Sequence, residues 1–281
     1  MDKNIIILRP EELEKKKQTI LSEGMNKFHV IADFDRTLTK AFVKGQKCST
    51  VIAQIRNGKY LTPDYALRAH GLFDKYHPIE IDSKIPLKEK EEKMHEWWKA
   101  HFELLIECGL NKKVIKEIVA KGEVGFRKGV DEFIDYLHKQ NIPLIIMSAG
   151  PGDMILEYLK KEKRFYYNVN VIANSYKFDK KGLVTKIKEP IIHSLNKHET
   201  SIKGLPIYKE LLQRKNVLLL GDGLGDLGMI EGFPYDNLIS VGFLNESIGE
   251  NLEKFKENFD VVITNDGDFS FINNFLSKFK E

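Results

Sequence analysis

The chain has 281 residues, ample for a substantial core, and that length suits one core domain carrying an inserted module. Its 44 Lys plus Arg stand against 41 Asp plus Glu, a net charge of +3, and the two signs are interspersed with no Arg-rich stripe, which argues against a nucleic-acid partner. Two cysteines, Cys48 and Cys108, lack Cys-x-x-Cys or Cys/His spacing, so a zinc site and a disulfide framework are not expected and a reducing cytoplasm fits.

In chain order, Ile5-Ile6-Ile7-Leu8 is too short for a signal segment or a spanning helix, and no other apolar run exceeds strand length; no membrane partner is expected. Phe28 to Phe34 is an apolar run ending in Asp35 and a polar turn, the pattern of a buried parallel strand. About a hundred residues separate it from the next such run, Ile142 to Met147, where a crossover needs roughly a dozen. Within that interval, Asp64 to Tyr76, Lys88 to Cys108 and Lys112 to Lys121 are rich in helix formers, and Gly109 and Gly122 supply stops. The chain therefore divides into a core of residues 1–40 and 124–281 and an inserted helical cap of residues 41–123. Val130 to Gln140 reads as a helix before the second strand, which ends at Ser148-Ala149-Gly150. Asn168 to Ile187 reads as a smaller inserted piece of short strands with a turn at Asp179 to Gly182. A third buried strand, Asn216 to Leu220, ends at Gly221-Asp222-Gly223. Buried strands alternating with helices predict an α/β fold with a parallel, Rossmann-like sheet, whose ligand crevice lies beyond the carboxyl ends of the strands.

The residues at those strand ends carry chemistry. Asp33 and Asp35 are paired carboxylates, and Asp222 and Asp226 add two more in Gly221-Asp222-Gly223-Leu224-Gly225-Asp226. Acids gathered in one crevice repel unless a cation intervenes, and an all-oxygen donor set suits Mg²⁺. Read singly, each is also ordinary turn chemistry: a DxD closes strands as an Asx turn, and a Gly-rich loop commonly carries solvated aspartates. Gly223 to Gly228 also fits the G-x-G-x-x-G of a dinucleotide-binding turn, although its acids would face a pyrophosphate. Ser148 and the Ala149 amide can cradle an anion at the start of a helix, and Lys197, in Leu195-Asn196-Lys197-His198-Glu199, falls between the second and third core strands.

DFDRTLT, SAG, NKH and GDGLGD, in that order, resemble the four motifs of the haloacid dehalogenase superfamily. From about His29 to Val262 the chain is similar to the class III cytosolic 5'-nucleotidases, also called pyrimidine 5'-nucleotidases. The likeness includes Tyr76-His77-Pro78-Ile79-Glu80-Ile81-Asp82, His95-Glu96-Trp97-Trp98 and Ile192-His193-Ser194-Leu195-Asn196-Lys197-His198. The resemblance implies Asp33 as nucleophile and Asp35 as acid and base. It also implies Mg²⁺ on Asp33, the Asp35 carbonyl and Asp222, with Asp226 as ligand or orienting neighbour, and phosphate held by Ser148, Ala149 and Lys197. Glu80 would read the base, with Trp97 and Trp98 as stacking candidates. Where pyrimidine-selective members carry a serine after the tryptophan pair, Ala100 and His101 stand here. The expected activity is hydrolysis of nucleoside 5'-monophosphates, CMP and UMP or 7-methyl-GMP, by a cytoplasmic monomer. The alternative is a phosphatase for another small phosphomonoester such as phosphoserine.

Overall fold

Alternation along the core strands decides the architecture. In a computed structural model describing residues 3–82, 84–122, 124–197, 207–231 and 234–279, Val30, Ala32, Leu144, Ile146, Leu218 and Leu220 pack into one apolar cluster. Ile31, Ile145, Met147, Val217 and Leu219 pack into a second on the opposite sheet face. A sheet buried on both faces needs helices on both, and the sequence supplies them.

Elements run as β1 (Ile5–Ile6), α1 (Pro10–Glu23), β2 (Phe28–Ala32), β3 (Phe42–Val43), β4 (Gln46–Lys47), α2 (Val51–Asn57), α3 (Tyr65–Ile81), α4 (Leu87–Glu107), α5 (Lys112–Lys121), α6 (Val130–Lys139), β5 (Leu144–Pro151), α7 (Gly152–Lys161), β6 (Val169–Asn174), β7 (Tyr176–Phe178), β8 (Val184–Ile187), α8 (Tyr208–Leu211), β9 (Asn216–Gly221), β10 (Asn237–Leu244), α9 (Ile248–Asn258), β11 (Val261–Thr264) and α10 (Ser270–Leu276). The main sheet has the order β1-β11-β10-β9-β2-β5-β6. Its neighbours are parallel except for the antiparallel β1–β11 pair. Helices α1, α6, α7 and α10 bury apolar residues in the first cluster, while α8 and α9 bury theirs in the second. Strands β2, β5 and β9 are adjacent, so Asp33, Ser148 and Asp222 emerge side by side at one end.

The expected inserted piece at 168–187 is only partly inserted: Val169–Asn174 pairs with β5 as the edge of the main sheet, and β7 with β8 forms the separate hairpin. Mixed burial along β6 explains the misreading, because an edge strand has the same half-polar pattern as a surface hairpin.

Between β2 and β5 lie the β3–β4 hairpin and helices α2 to α6, of which α2 to α5 fall in the expected insertion. Thr50 opens α2 by accepting from the Ala53 amide at 3.3 Å, and Asn111 opens α5 by accepting from the amides of Lys113 and Val114 at 3.0 Å each. Helix α4 buries Met94, Trp97, His101, Leu104 and Leu105, a three-and-four spacing that keeps one stripe inward. Tyr76 of α3 stacks on Trp97 with ring centroids 6.1 Å apart, tying these two helices together. No helix among the described residues is long and apolar enough to cross a membrane.

Candidate active site

Asp33 follows the last residue of β2 and is buried, its amide donating to the Leu220 carbonyl at 2.9 Å. One carboxylate oxygen, Oδ1, accepts from Lys197 Nζ at 2.5 Å. The other, Oδ2, is buried with no hydrogen-bond partner among the described residues. Lys197 Nζ also donates to Asp226 Oδ1 at 3.0 Å, so one buried ammonium is shared by two carboxylates. Burial works against the Lys197 charge, but Asp226 and Asp33 outweigh it and raise the pKa, so the ammonium keeps its proton.

Asp33 itself is pushed up to about 6, mainly by burial, with Lys197 opposing and Asp226 adding. Asp35 is pushed up to about 7 by burial and by Asp33, while the Val51 amide opposes the rise. That amide, at the first turn of α2, donates to Asp35 Oδ1 at 2.9 Å. The contact needs a notch: a Cβ on Gly150 would stand 2.5 Å from Val51 Cγ2 and 3.6 Å from Asp35 Oδ2. Asp222 is raised well above the usual carboxylate range by burial, then by Asp33 and Asp226. Four acids thus face one lysine, and the unpartnered Asp33 Oδ2 beside Asp222 is the donor arrangement that a hard divalent cation completes.

Oxygen atoms of Asp33, Asp222 and Asp226 lie within 4.8 Å of one another. Asp226, however, has both oxygens engaged: Oδ1 by Lys197 and Oδ2 by the amides of Asp222 and Gly223 at 3.0 Å each. It acts as a brace for the loop and the lysine. The same two hydrogen bonds weigh against the dinucleotide reading, since they fold the Asp226 carboxylate into the turn, where its charge opposes a pyrophosphate. The turn continues as a tight 3₁₀ segment over Leu224–Ile230.

On the neighbouring loop, the Gly150 amide donates to Ser148 Oγ at 3.0 Å, which leaves the hydroxyl proton to be donated elsewhere. Ser148, Ala149 and Gly150 line a cavity of about 580 Å³ with Asp33, Asp35, Lys197 and Asp222. Glu80, Trp97 and Trp98 line the same cavity from α3 and α4, as do Phe73 and His77 of α3 and Arg56 of α2. Trp97 is the deeper indole, and its ring lies 6.4 Å from that of Trp98. Glu80 Oε1 accepts from Ser194 Oγ at 2.6 Å, and Oε2 is 3.1 Å from His77 Nδ1. His101 is not a wall of this cavity: it is buried within the helical segment against the Tyr65 hydroxyl at 3.0 Å, and burial lowers its pKa to about 4. His198 and Glu199 of the NKHE run, and Glu123 at the expected cap boundary, lie outside the described residues.

Three residues that hold the site together escaped the sequence reading. Arg127, buried, donates to the carbonyls of Arg36 at 2.5 Å, Thr37 at 3.0 Å and Gly267 at 2.8 Å and pairs with Asp266 at 2.7 Å. It thereby clamps the turn after Asp35, where Arg36 adopts a φ of 61°. Asn174 donates to the carbonyls of Ala149 at 2.6 Å and Ile192 at 2.7 Å and accepts from the Ile192 amide at 2.9 Å, joining two site loops. Ser194 is the third. Arg127 and Asn174 have partners remote in sequence and so leave no spacing signature, whereas Ser194 lies within the Ile192–His198 stretch that carries the resemblance, which assigns it no role.

Residues 36–280 match the family profile described as "Pyrimidine 5'-nucleotidase (UMPH-1)". This chain belongs to that family. A Gallus gallus relative named 7-methylguanosine phosphate-specific 5'-nucleotidase is 35% identical over 271 residues, covering 96% of this chain and 94% of that protein. Among solved structures, cytosolic 5'-nucleotidase IIIB bound to cytidine is similar with a TM-score of 0.88 at 26% identity, covering 99% of this chain and 94% of that one. A HAD family hydrolase from Salmonella enterica serovar Typhi shares the fold at a TM-score of 0.57 and 14% identity, over 91% of this chain and 72% of that one. The pyrimidine 5'-nucleotidase family and the haloacid dehalogenase-type α/β fold expected from the motifs are therefore those found.

Proposed function

We propose that this member of the pyrimidine 5'-nucleotidase family is a cytosolic, monomeric, Mg²⁺-dependent hydrolase of nucleoside 5'-monophosphates, with 7-methyl-GMP its leading substrate and CMP its second. The observation that carries this reading is the shared cavity: Glu80, Trp97 and Trp98 line it together with Asp33, Asp35 and Lys197. A phosphatase for phosphoserine has no use for indoles and a carboxylate on that wall. Guanine presents N1–H and N2–H donors side by side, which a carboxylate accepts as a pair, and methylation at N7 adds a positive charge that favours indole faces. Cytosine offers its amine alone as donor. The names of the relatives point the same way.

In the reaction, Lys197, the Ser148 hydroxyl and the Ala149 amide bind phosphoryl oxygens. A carboxylate oxygen of Asp33 attacks phosphorus while the bond to the 5' oxygen breaks, giving an aspartyl phosphate. Asp35 donates its proton to the departing oxygen, then takes a proton from the water that hydrolyses the aspartyl phosphate. Mg²⁺, held by Asp33, Asp222 and the Asp35 carbonyl, would neutralise charge on the transferring group. Residues 41–123 act as the cap that selects the base and excludes water.

Phosphate release from 7-methyl-GMP, CMP, UMP, GMP, AMP and phosphoserine, with Mg²⁺ and with EDTA, tests the proposal. Metal-dependent release concentrated on 7-methyl-GMP and CMP, lost in Asp33→Asn, is expected. Release from phosphoserine alone would overturn it.

A further inference from the structure

The segment from Ile191 to Lys197 is a rigid bridge between the two halves of the cavity. Asn174 grips Ile192 through both its amide and its carbonyl, at 2.9 Å and 2.7 Å. Asn196 Oδ1 accepts from the His193 amide at 2.6 Å, and Asn196 Nδ2 donates to the Ile191 carbonyl at 3.0 Å. At one end of the bridge Lys197 is fastened to Asp33 and Asp226. Three residues earlier, Ser194 Oγ donates to Glu80 Oε1 at 2.6 Å, a length typical of a charge-assisted bond. Leu195 between them packs against the cluster of Tyr76, Met94 and Trp97. From behind, the Asp222–Asp226 loop presses on the bridge: a Cβ on Gly225 would come within 2.8 Å of the Ser194 carbonyl oxygen.

Glu80 is thus held from two sides, by Ser194 from the core and by His77 one turn back on its own helix at 3.1 Å. A carboxylate offers about four lone-pair positions, so one hydrogen bond to each oxygen leaves each able to accept another. What the two partners fix is the plane of the carboxylate. A glutamate with three rotatable bonds would otherwise sample many orientations on the half-buried wall of the cavity.

We propose that Ser194 is a specificity-positioning residue: its hydroxyl latches the base-reading carboxylate of Glu80 to the segment carrying Lys197. Base recognition and phosphate placement are then set by one rigid element. The inference rests on the nucleotidase reading above, because it requires that Glu80 meet a base. A substrate with adjacent N–H donors gains from a preset carboxylate, whereas a phosphomonoester without a base gains nothing from it.

The experiment compares kcat/KM for 7-methyl-GMP and CMP with that for p-nitrophenyl phosphate, in wild type, Ser194→Ala, Ser194→Thr, Glu80→Gln and the Ser194→Ala/Glu80→Gln double variant. Expected for Ser194→Ala is a loss of about 10- to 100-fold on the preferred nucleotide against less than about threefold on p-nitrophenyl phosphate, as follows from losing a hydrogen bond to a charged group. Ser194→Thr, which keeps a hydroxyl, restores most of the nucleotide rate. In the Glu80→Gln background, Ser194→Ala costs less than about threefold further, since it acts through that carboxylate. Equal losses on both substrates, or full additivity with Glu80→Gln, would reduce Ser194 to a support of the lysine loop and overturn the proposal. Undiminished nucleotide preference in Ser194→Ala overturns the latch and leaves the nucleotidase reading standing. Wild type that prefers no nucleotide over p-nitrophenyl phosphate removes both.

Discussion

Replacing Gly150 with alanine tests whether α2 tunes the acid at Asp35. The added Cβ would stand 2.5 Å from Val51 Cγ2, about 1 Å inside an ordinary carbon–carbon contact of ~3.5 Å. The nearest relief is withdrawal of the α2 N-terminus, and a shift of about 1 Å is enough to break the 2.9 Å hydrogen bond from the Val51 amide to Asp35 Oδ1. A hydrogen bond to a charged group contributes about 1.5–3 kcal/mol, so kcat for the preferred nucleotide should fall about 10- to 150-fold. Over-packing should also cost about 1–3 kcal/mol of stability, readable as a lower urea midpoint. The decisive control is Val51→Ala in the Gly150→Ala background. Removing Cγ2 takes away the closest clash and keeps the amide, leaving only the milder 3.2 Å approach to Ser148 Oγ, so most of the lost kcat should return. A Gly150→Ala variant retaining wild-type kcat, or a double variant no faster than the single one, would refute the argument that α2 holds Asp35 through this notch.

Metal removal should abolish anion binding as well as turnover, because Asp33, Asp35, Asp222 and Asp226 face one lysine. Titration calorimetry with inorganic phosphate should give binding heat in Mg²⁺ and none in EDTA. Arg127→Lys should lower stability by about 3–5 kcal/mol, since one ammonium cannot serve the carbonyls of Arg36, Thr37 and Gly267 together with Asp266. An unchanged urea midpoint would contradict the clamp. His101 is held neutral in the fold, with its pKa lowered to about 4 by burial and then by Arg56, against ~6.5 in an unfolded chain. The unfolded state therefore binds more protons in this window, so this stability is present above about pH 6.5 and is lost as pH falls toward 4. Between pH 7 and pH 5 the wild type should lose about 2 kcal/mol more than His101→Gln, measured by urea unfolding at both pH values.

The sheet and the edge that carries the candidate site were legible because buried parallel strands are short apolar runs, and the residues at the end of each run face the crevice. Asp33, Ser148 and Asp222 are such residues, and their partners Asp35, Ala149 and Asp226 lie within four positions of them. The helical insertion was legible from its length and its glycine stops. What the sequence hides is everything that fixes these loops relative to one another. Arg127 works through backbone carbonyls, which carry no side-chain identity. Ser194 meets Glu80 across 114 positions, and Asn174 reaches Ala149 across 25, at the end of a strand whose half-buried pattern looked like a surface hairpin.

Asp226 shows why a role can stay open when the residue itself is plain. Its spacing from Asp222 suits a metal ligand and a loop brace equally well, and only the placement of two protons decides between them. With Oδ2 accepting from the Asp222 and Gly223 amides and Oδ1 from Lys197, this carboxylate fixes the loop that carries Asp222 and the ammonium that meets Asp33. An acid so engaged stabilises the lysine charge against burial, and in the proposed mechanism that charge lets Asp33 stand ionised beside an incoming phosphate. The fourth acid of the cluster thus favours the proposed phosphate site, though its own charge repels the anion.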